Sequence, residues 1–167
     1  ASAVLYDQPQ IVADAQLGNF RSGEMVVTRA RAKVNYRGGN GTAQLLAEGS
    51  SGVPFRVAAN ARLSPNEYLV ALQGVGNNVN FRTANPARIV PGSGGYRLYP
   101  TRINFDRGSM RIAGSYGAGM TLQSRLDSLD VSLLNAFVPG LGLGGTATGS
   151  LDFAQPSGAS FPQADAR

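Results

Sequence analysis

Apolar and polar residues alternate along most of this chain with a period of two, as in a strand with one buried face and one wet face. From Glu24 to Tyr36, Val26, Thr28, Ala30, Ala32, Val34 and Tyr36 point one way, while Arg29, Arg31, Lys33 and Asn35 point the other. Arg37-Gly38-Gly39-Asn40-Gly41 then supplies a turn, because Gly and Asn accept positive φ, and Thr42 to Glu48 returns as the antiparallel partner. The pattern continues in Val53, Phe55, Val57, Ala59, Ala61 and Leu63 against Arg56, Asn60 and Arg62. Ser64-Pro65-Asn66 turns that run into Tyr68, Val70 and Leu72. Further strands are expected at Val79 to Thr83, Ala87 to Val90, Gly95 to Leu98, Arg102 to Asp106, Ser109 to Tyr116, Met120 to Asp127 and Gly145 to Phe153. Roughly ten to twelve strands of about 5 to 12 residues follow.

One segment departs from this pattern. Asp130 is placed to cap a short helix over Val131 to Phe137, with Leu133, Leu134 and Phe137 on one side and Val138-Pro139-Gly140 stopping it. The chain therefore divides into a strand meander over 1–127, a helix and Gly-rich connector over 128–145, and the start of a further strand repeat over 146–167. A faint internal echo supports repetition: Val53-Pro54-Phe55-Arg56 with Ala61-Arg62 recurs 26 residues later as Val79-Asn80-Phe81-Arg82 with Ala87-Arg88.

Composition narrows the chemistry. The 167 residues contain no His, Cys or Trp, which removes Ser-His and Cys-His mechanisms, thiolate metal sites and disulfides. Paired carboxylates are the remaining catalytic option, and the candidates are Asp127 with Asp130, or Glu67 with Asp106. Asp130 is better explained as a cap and Glu67 as part of a turn, so no catalytic residue is assigned. Neither Gly38-Gly39-Asn40-Gly41 nor Gly142-Leu143-Gly144-Gly145 has the strand before and long helix after that a phosphate loop requires. The net charge of +5 rests on Arg, with Lys33 the single lysine. Arg82, Arg88, Arg97 and Arg102 lie near Phe81, Tyr96 and Tyr99, a mixture suited to single-stranded nucleic acid or to lipid phosphates. The chain has no recognisable RNA-binding signature, and nucleic acid is not expected as a partner.

The apolar faces carry mostly Val, Ala, Leu, Ile and Met, and one short helix cannot cover a broad sheet. Such a sheet must close on itself as a filled sandwich or keep an apolar face for something else. A membrane barrel is disfavoured by the lack of Trp and of clear aromatic girdles. The chain opens at Ala1 without a Met, and alternation still runs at Ala164-Asp165-Ala166-Arg167, both of which suggest a piece of something longer.

From Asp127-Ser128-Leu129-Asp130-Val131-Ser132-Leu133-Leu134-Asn135-Ala136-Phe137-Val138-Pro139-Gly140, through Leu141-Gly142-Leu143-Gly144-Gly145, to Thr146-Ala147-Thr148-Gly149-Ser150-Leu151-Asp152-Phe153, the sequence resembles the repeating unit of the TamB family. These are large AsmA-like envelope proteins of Gram-negative bacteria. In that family a short helix, a Pro and a Gly-Thr-x-x-Gly strand start punctuate long alternating runs. Across 1–119 the likeness is one of alternation, turns and composition.

The resemblance implies an all-β fold, a curled antiparallel meander forming an elongated apolar trough (β-taco-like) with one short helix near 131–137. It implies a periplasmic location, with an inner-membrane anchor outside this piece. It also implies a bridge that moves phospholipid between inner and outer membrane, non-enzymatic and without cofactor or metal, with acyl chains and an outer-membrane TamA-like barrel as partners. The lining expected of such a groove is Val53, Phe55, Val57, Tyr68, Val70, Leu72, Ile103, Phe105, Met110, Ile112, Met120 and Leu122. The alternative is a scaffold for outer-membrane protein assembly, offering sheet edges to nascent strands.

Overall fold

The structure is a computed structural model that describes residues 10–136, 142, 144–156 and 163–167. Twelve strands form one antiparallel sheet: β1 (Gln10–Ser22), β2 (Met25–Arg37), β3 (Asn40–Ser51), β4 (Pro54–Leu63), β5 (Tyr68–Gly76), β6 (Val79–Thr83), β7 (Ala87–Gly92), β8 (Gly95–Phe105), β9 (Ser109–Gly117), β10 (Met120–Asp130), β11 (Thr146–Gln155) and β12 (Gln163–Ala166). Each strand pairs with its neighbour in sequence except at one place. There β6 and β7 lie end to end in a single rung between β5 and β8: β6 pairs with the last residues of β5 and β7 with its first. The all-β meander expected from alternation is the observed fold.

Three details differ from expectation. β1 was not among the predicted strands; its alternation is interrupted at Asn19, which has a φ of 52°, so that Leu17 and then Phe20 fall on one face. Gly95 to Leu98 and Arg102 to Asp106 are one strand, β8, which passes through a bulge at Tyr99-Pro100. Pro there ends ladder pairing locally without ending the strand. The expected helix is a 3-10 turn over Val131–Ala136, and no α-helix occurs among the described residues. Six residues that include Val131, Ser132 and Asn135 are too few and too weakly helix-forming to nucleate an α-helix. Its cap is as expected, since the Ser132 amide donates to Asp130 Oδ1 at 3.0 Å. Phe137 and Val138-Pro139-Gly140 lie outside the described residues.

The 3-10 turn reports on the curvature of the sheet. It leaves β10 directly, yet touches β5 and β3, and Asn77, between β5 and β6, donates to the Ser132 carbonyl at 3.2 Å. On a flat sheet β5 and β3 would lie about 19 and 29 Å from β10, at ~4.8 Å per strand. A six-residue 3-10 segment spans only about 12 Å. The sheet therefore coils toward one face at this end, and Leu129, beside the turn, is only 2% exposed.

The packed centre is small. Val79, Phe81 and Ile103 are buried, with Val57, Leu72, Phe105, Met110 and Ile112 packed against them. Phe81 is directly opposite Gly74, and a Cβ there would stand 2.6 Å from Phe81 Cζ. Phe55 is likewise opposite Gly49, with 3.0 Å between such a Cβ and Phe55 Cζ. The 26-residue echo thus has a physical counterpart: each copy lays a phenylalanine over a glycine of the preceding layer of the meander. Ala61 and Ala87, also equivalent in the echo, flank Val70 from either side.

Candidate functional site

Directly opposed residues in an antiparallel ladder share a face, so the register fixes which side chains line the inner surface. Ala15, Ala32, Leu45, Ala59 and Leu72 stand in one row across β1 to β5. The row continues through Thr83, Ile103, Met110, Leu126 and Gly149 on β6, β8, β9, β10 and β11. Thr83 is its only polar member, and its hydroxyl is turned inward to the sheet, accepting from the Leu72 amide at 3.1 Å and donating to the Leu72 carbonyl at 3.4 Å. The row of ten strands spans nine intervals, about 43 Å along a coiled path. A second row runs Leu17, Ala30, Ala47, Val57, Gly74, Phe81 and Phe105.

Among the described residues no second layer lies over this face; the 3-10 turn covers only one end. Outside the centre its large residues remain open: Leu17 is 48% exposed, Leu45 44%, Leu122 39% and Leu151 42%. The filled sandwich is therefore not the arrangement of the described residues.

Eleven of the twelve expected lining residues fall on this one face: Phe55, Val57, Tyr68, Val70, Leu72, Ile103, Phe105, Met110, Ile112, Met120 and Leu122. Val53 does not stand in a strand. It lies in the β3–β4 turn, where the Ser51 amide donates to its carbonyl at 3.0 Å, because Gly52 reverses the chain with a φ of 77°. Sequence reasoning passed over the residues at the centre, Val79 and Phe81, and the alanine-rich part of the face on β1 to β3. Alternation in Val79 to Thr83 was enough to mark Phe81, but the glycine beneath it is set by long-range register.

The two ends of the face differ in chemistry. Tyr36, Tyr68, Tyr96 and Tyr116 all lie on it at the end away from the 3-10 turn, connected through the register by Gly41, Leu63, Ile89 and Leu98. Tyr68 and Tyr96 have ring centroids 6.2 Å apart, and Tyr96 is directly opposite Tyr116. A hollow of about 700 Å³ opens there, among Pro91, Tyr96, Tyr116 and Met120 on the inner side and Arg97 and Tyr99 on the outer. Phe20, Phe55, Phe81 and Phe105 lie toward the opposite end. Tyrosine presents an apolar ring and a wet hydroxyl, so this end has an amphipathic rim and the other an oily floor.

The outer face is charged. Arg31 reaches Asp14 at 2.9 Å with Lys33 at 3.7 Å from the same oxygen; Arg29 and Arg56 share Glu48; Arg88 meets Glu67 at 2.7 Å and stacks on Tyr99. The hydrogen bond from Arg31, aided by its charge and that of Lys33, holds the Asp14 carboxyl below its usual range. The Ser132 bonds do the same for Asp130. The carboxylates weighed as catalytic are engaged separately. Glu67 binds Arg88, Asp106 accepts from Asn80 at 2.8 Å, and Asp127 accepts from the Ser128 hydroxyl at 3.4 Å. Glu67 and Asp106 lie at opposite ends of the sheet. Among the described residues, no group of three potential metal ligands gathers, and no helix is long and apolar enough to cross a membrane. Comparison with family models, with curated proteins and with solved structures finds no match.

Proposed function

We propose that this chain is a segment of a periplasmic, TamB-like bridge on which phospholipid passes between inner and outer membrane, its acyl chains lying on the coiled apolar face. The observation that carries this reading is the row from Ala15 to Gly149: ten strands wide, with its single hydroxyl satisfied by backbone and no covering layer among the described residues. An uncovered face of this extent needs an apolar occupant. Each methylene that leaves water on it contributes about 0.8 kcal/mol, so a continuous lining suffices, with no chemical step, cofactor or catalytic residue. The tyrosine rim suits the level at which headgroups meet water.

The test is mass spectrometry of lipid extracted from the purified protein. Val70→Asp and Ile112→Arg place charge on the face, and Leu69→Asp places it on the outer side, one residue from Val70. Wild type and Leu69→Asp should carry phospholipid in near-stoichiometric amount. Folded Val70→Asp and Ile112→Arg should carry little; unchanged lipid in them contradicts the reading.

A second reading has its own observation. Among the described residues β1 bonds only to β2, leaving a thirteen-residue edge of free donors and acceptors, which is the template a nascent strand of an outer-membrane protein would use. An assembly scaffold of this kind should carry no stoichiometric lipid, and it should lose binding when Pro replaces whichever of Val12 and Ala15 turns its N–H away from β2.

A further inference from the structure

On the outer face the register sets Arg102 opposite Arg111, and Arg111 opposite Arg125, on three consecutive strands. Ser150 is opposite Arg125, and it exchanges backbone hydrogen bonds with Arg167 beyond it. Cβ atoms of such opposed residues are about 4.5–5.5 Å apart, and like charges so placed repel. Other cations on this face have counter-charges from the chain, Glu48 for Arg29 and Arg56, Asp14 for Arg31 and Lys33, Glu67 for Arg88, while among the described residues Arg62, Arg82 and Arg97 stand singly without one. Among the described residues no ion pair reaches Arg102, Arg111 or Arg125. Arg102 donates to the Ser109 hydroxyl at 3.0 Å, which fixes its guanidinium.

Beyond Arg102 the row is also hollowed. Arg111, Arg125 and Arg167 line one depression of about 370 Å³ together with Gln123 and Ser150. Asp152 lines it too, but pairs with none of the three. Opposed arginines that no carboxylate pairs attract an anion from outside. A carboxylate, with two oxygens, satisfies one guanidinium fork, whereas a tetrahedral phosphoryl group can accept from two forks at once.

We propose that Arg102, Arg111 and Arg125 form a site for a phosphoryl oxyanion on the outer face, independent of whatever occupies the apolar face. The same chemistry is offered by free phosphate and by a lipid headgroup, and the experiment separates them. Inorganic phosphate is titrated into the protein by calorimetry at constant ionic strength, and sedimentation with phosphatidylglycerol vesicles is measured beside it. The variants are Arg111→Gln/Arg125→Gln and, as control, Arg29→Gln/Arg31→Gln. Saturable phosphate binding is expected in wild type and control, at least about tenfold weaker in Arg111→Gln/Arg125→Gln. That double variant should fold, because it removes repulsion, and its thermal midpoint in chloride should equal or exceed that of wild type. Vesicle binding that falls with the same double variant assigns the site to headgroups; phosphate binding without it assigns a small free oxyanion. Absence of both, or binding that survives in the double variant, overturns the proposal.

Discussion

Strands β1 to β3 and strands β5 to β9 share one sheet and one apolar face, yet they are held in different ways. The first region is regular: strands of thirteen, thirteen and twelve residues, small Ala side chains in the middle rows of the inner face, with larger residues such as Ile11, Tyr36, Phe20 and Val27 toward its ends, and charge pairs across the outer one. Ile11, Leu17, Phe20 and Leu45, among its larger apolar residues, stay about half exposed. The second region is irregular: β6 and β7 divide one rung at Ala84-Asn85-Pro86, β8 bulges at Tyr99-Pro100, and Phe81 and Ile103 fall to 8% and 6% exposure. No hydrophobic side chain of β1 to β3 is buried, since Ala in the middle rows is too short to pack and among the described residues the larger ones have nothing over them, so the first region rests on its hydrogen-bond ladder and ion pairs. A phenylalanine over glycine fills that gap, and the second region rests on packing. Curl and burial coincide where large side chains face small ones.

The comparison is broken most sharply by truncation. Phe81→Ala should cost about 3–5 kcal/mol in urea unfolding, as a buried aromatic does, whereas Leu45→Ala should cost under about 1 kcal/mol because its side chain already meets water. Equal costs would show that the two regions are packed alike. Gly74→Ala comes next, at about 1–3 kcal/mol, because the added methyl meets both Phe81 and the Arg56 carbonyl of the neighbouring strand. The same change at Gly23, which has open space around it, should cost less and only through its positive φ of 60°. Thr83→Val should cost about 1 kcal/mol, since the Leu72 amide loses its acceptor while the row stays apolar.

The smallest effect concerns pH. Asp14 has its folded-state carboxyl below the usual value near 3.9, so its pairing stabilises the fold above that pH and is lost as pH falls through the lower folded value. Amide exchange along β1 should rise at the acidic end of that window while exchange in β8 does not. Asp14→Asn should remove the difference in pH dependence.

Much of this was legible in the chain, and the failures have identifiable causes. Alternation gave the meander and the shared face of eleven of the twelve residues named for a lining, because a period of two translates directly into faces. It missed β1, where the backbone at Asn19 shifts the phase, and it split β8, where Pro100 marks a bulge rather than an end. The tyrosine rim was invisible for another reason. Tyr36, Tyr68, Tyr96 and Tyr116 are spread over eighty residues and meet only through register. The unpaired arginine row was hidden in the same way, since Arg102, Arg111 and Arg125 look solvated until the strands are aligned.

Leu45 and Leu46 provide the most direct test. They are adjacent, 44% and 40% exposed, and on opposite faces of β3. With phospholipid carrying a spin label in its acyl chain, methyl NMR should show strong relaxation at Leu45, and also at Val70 and Leu122, with Leu46 and Leu69 unaffected. Equal relaxation at Leu45 and Leu46, or none at either, would contradict the claim that the inner face is where lipid lies.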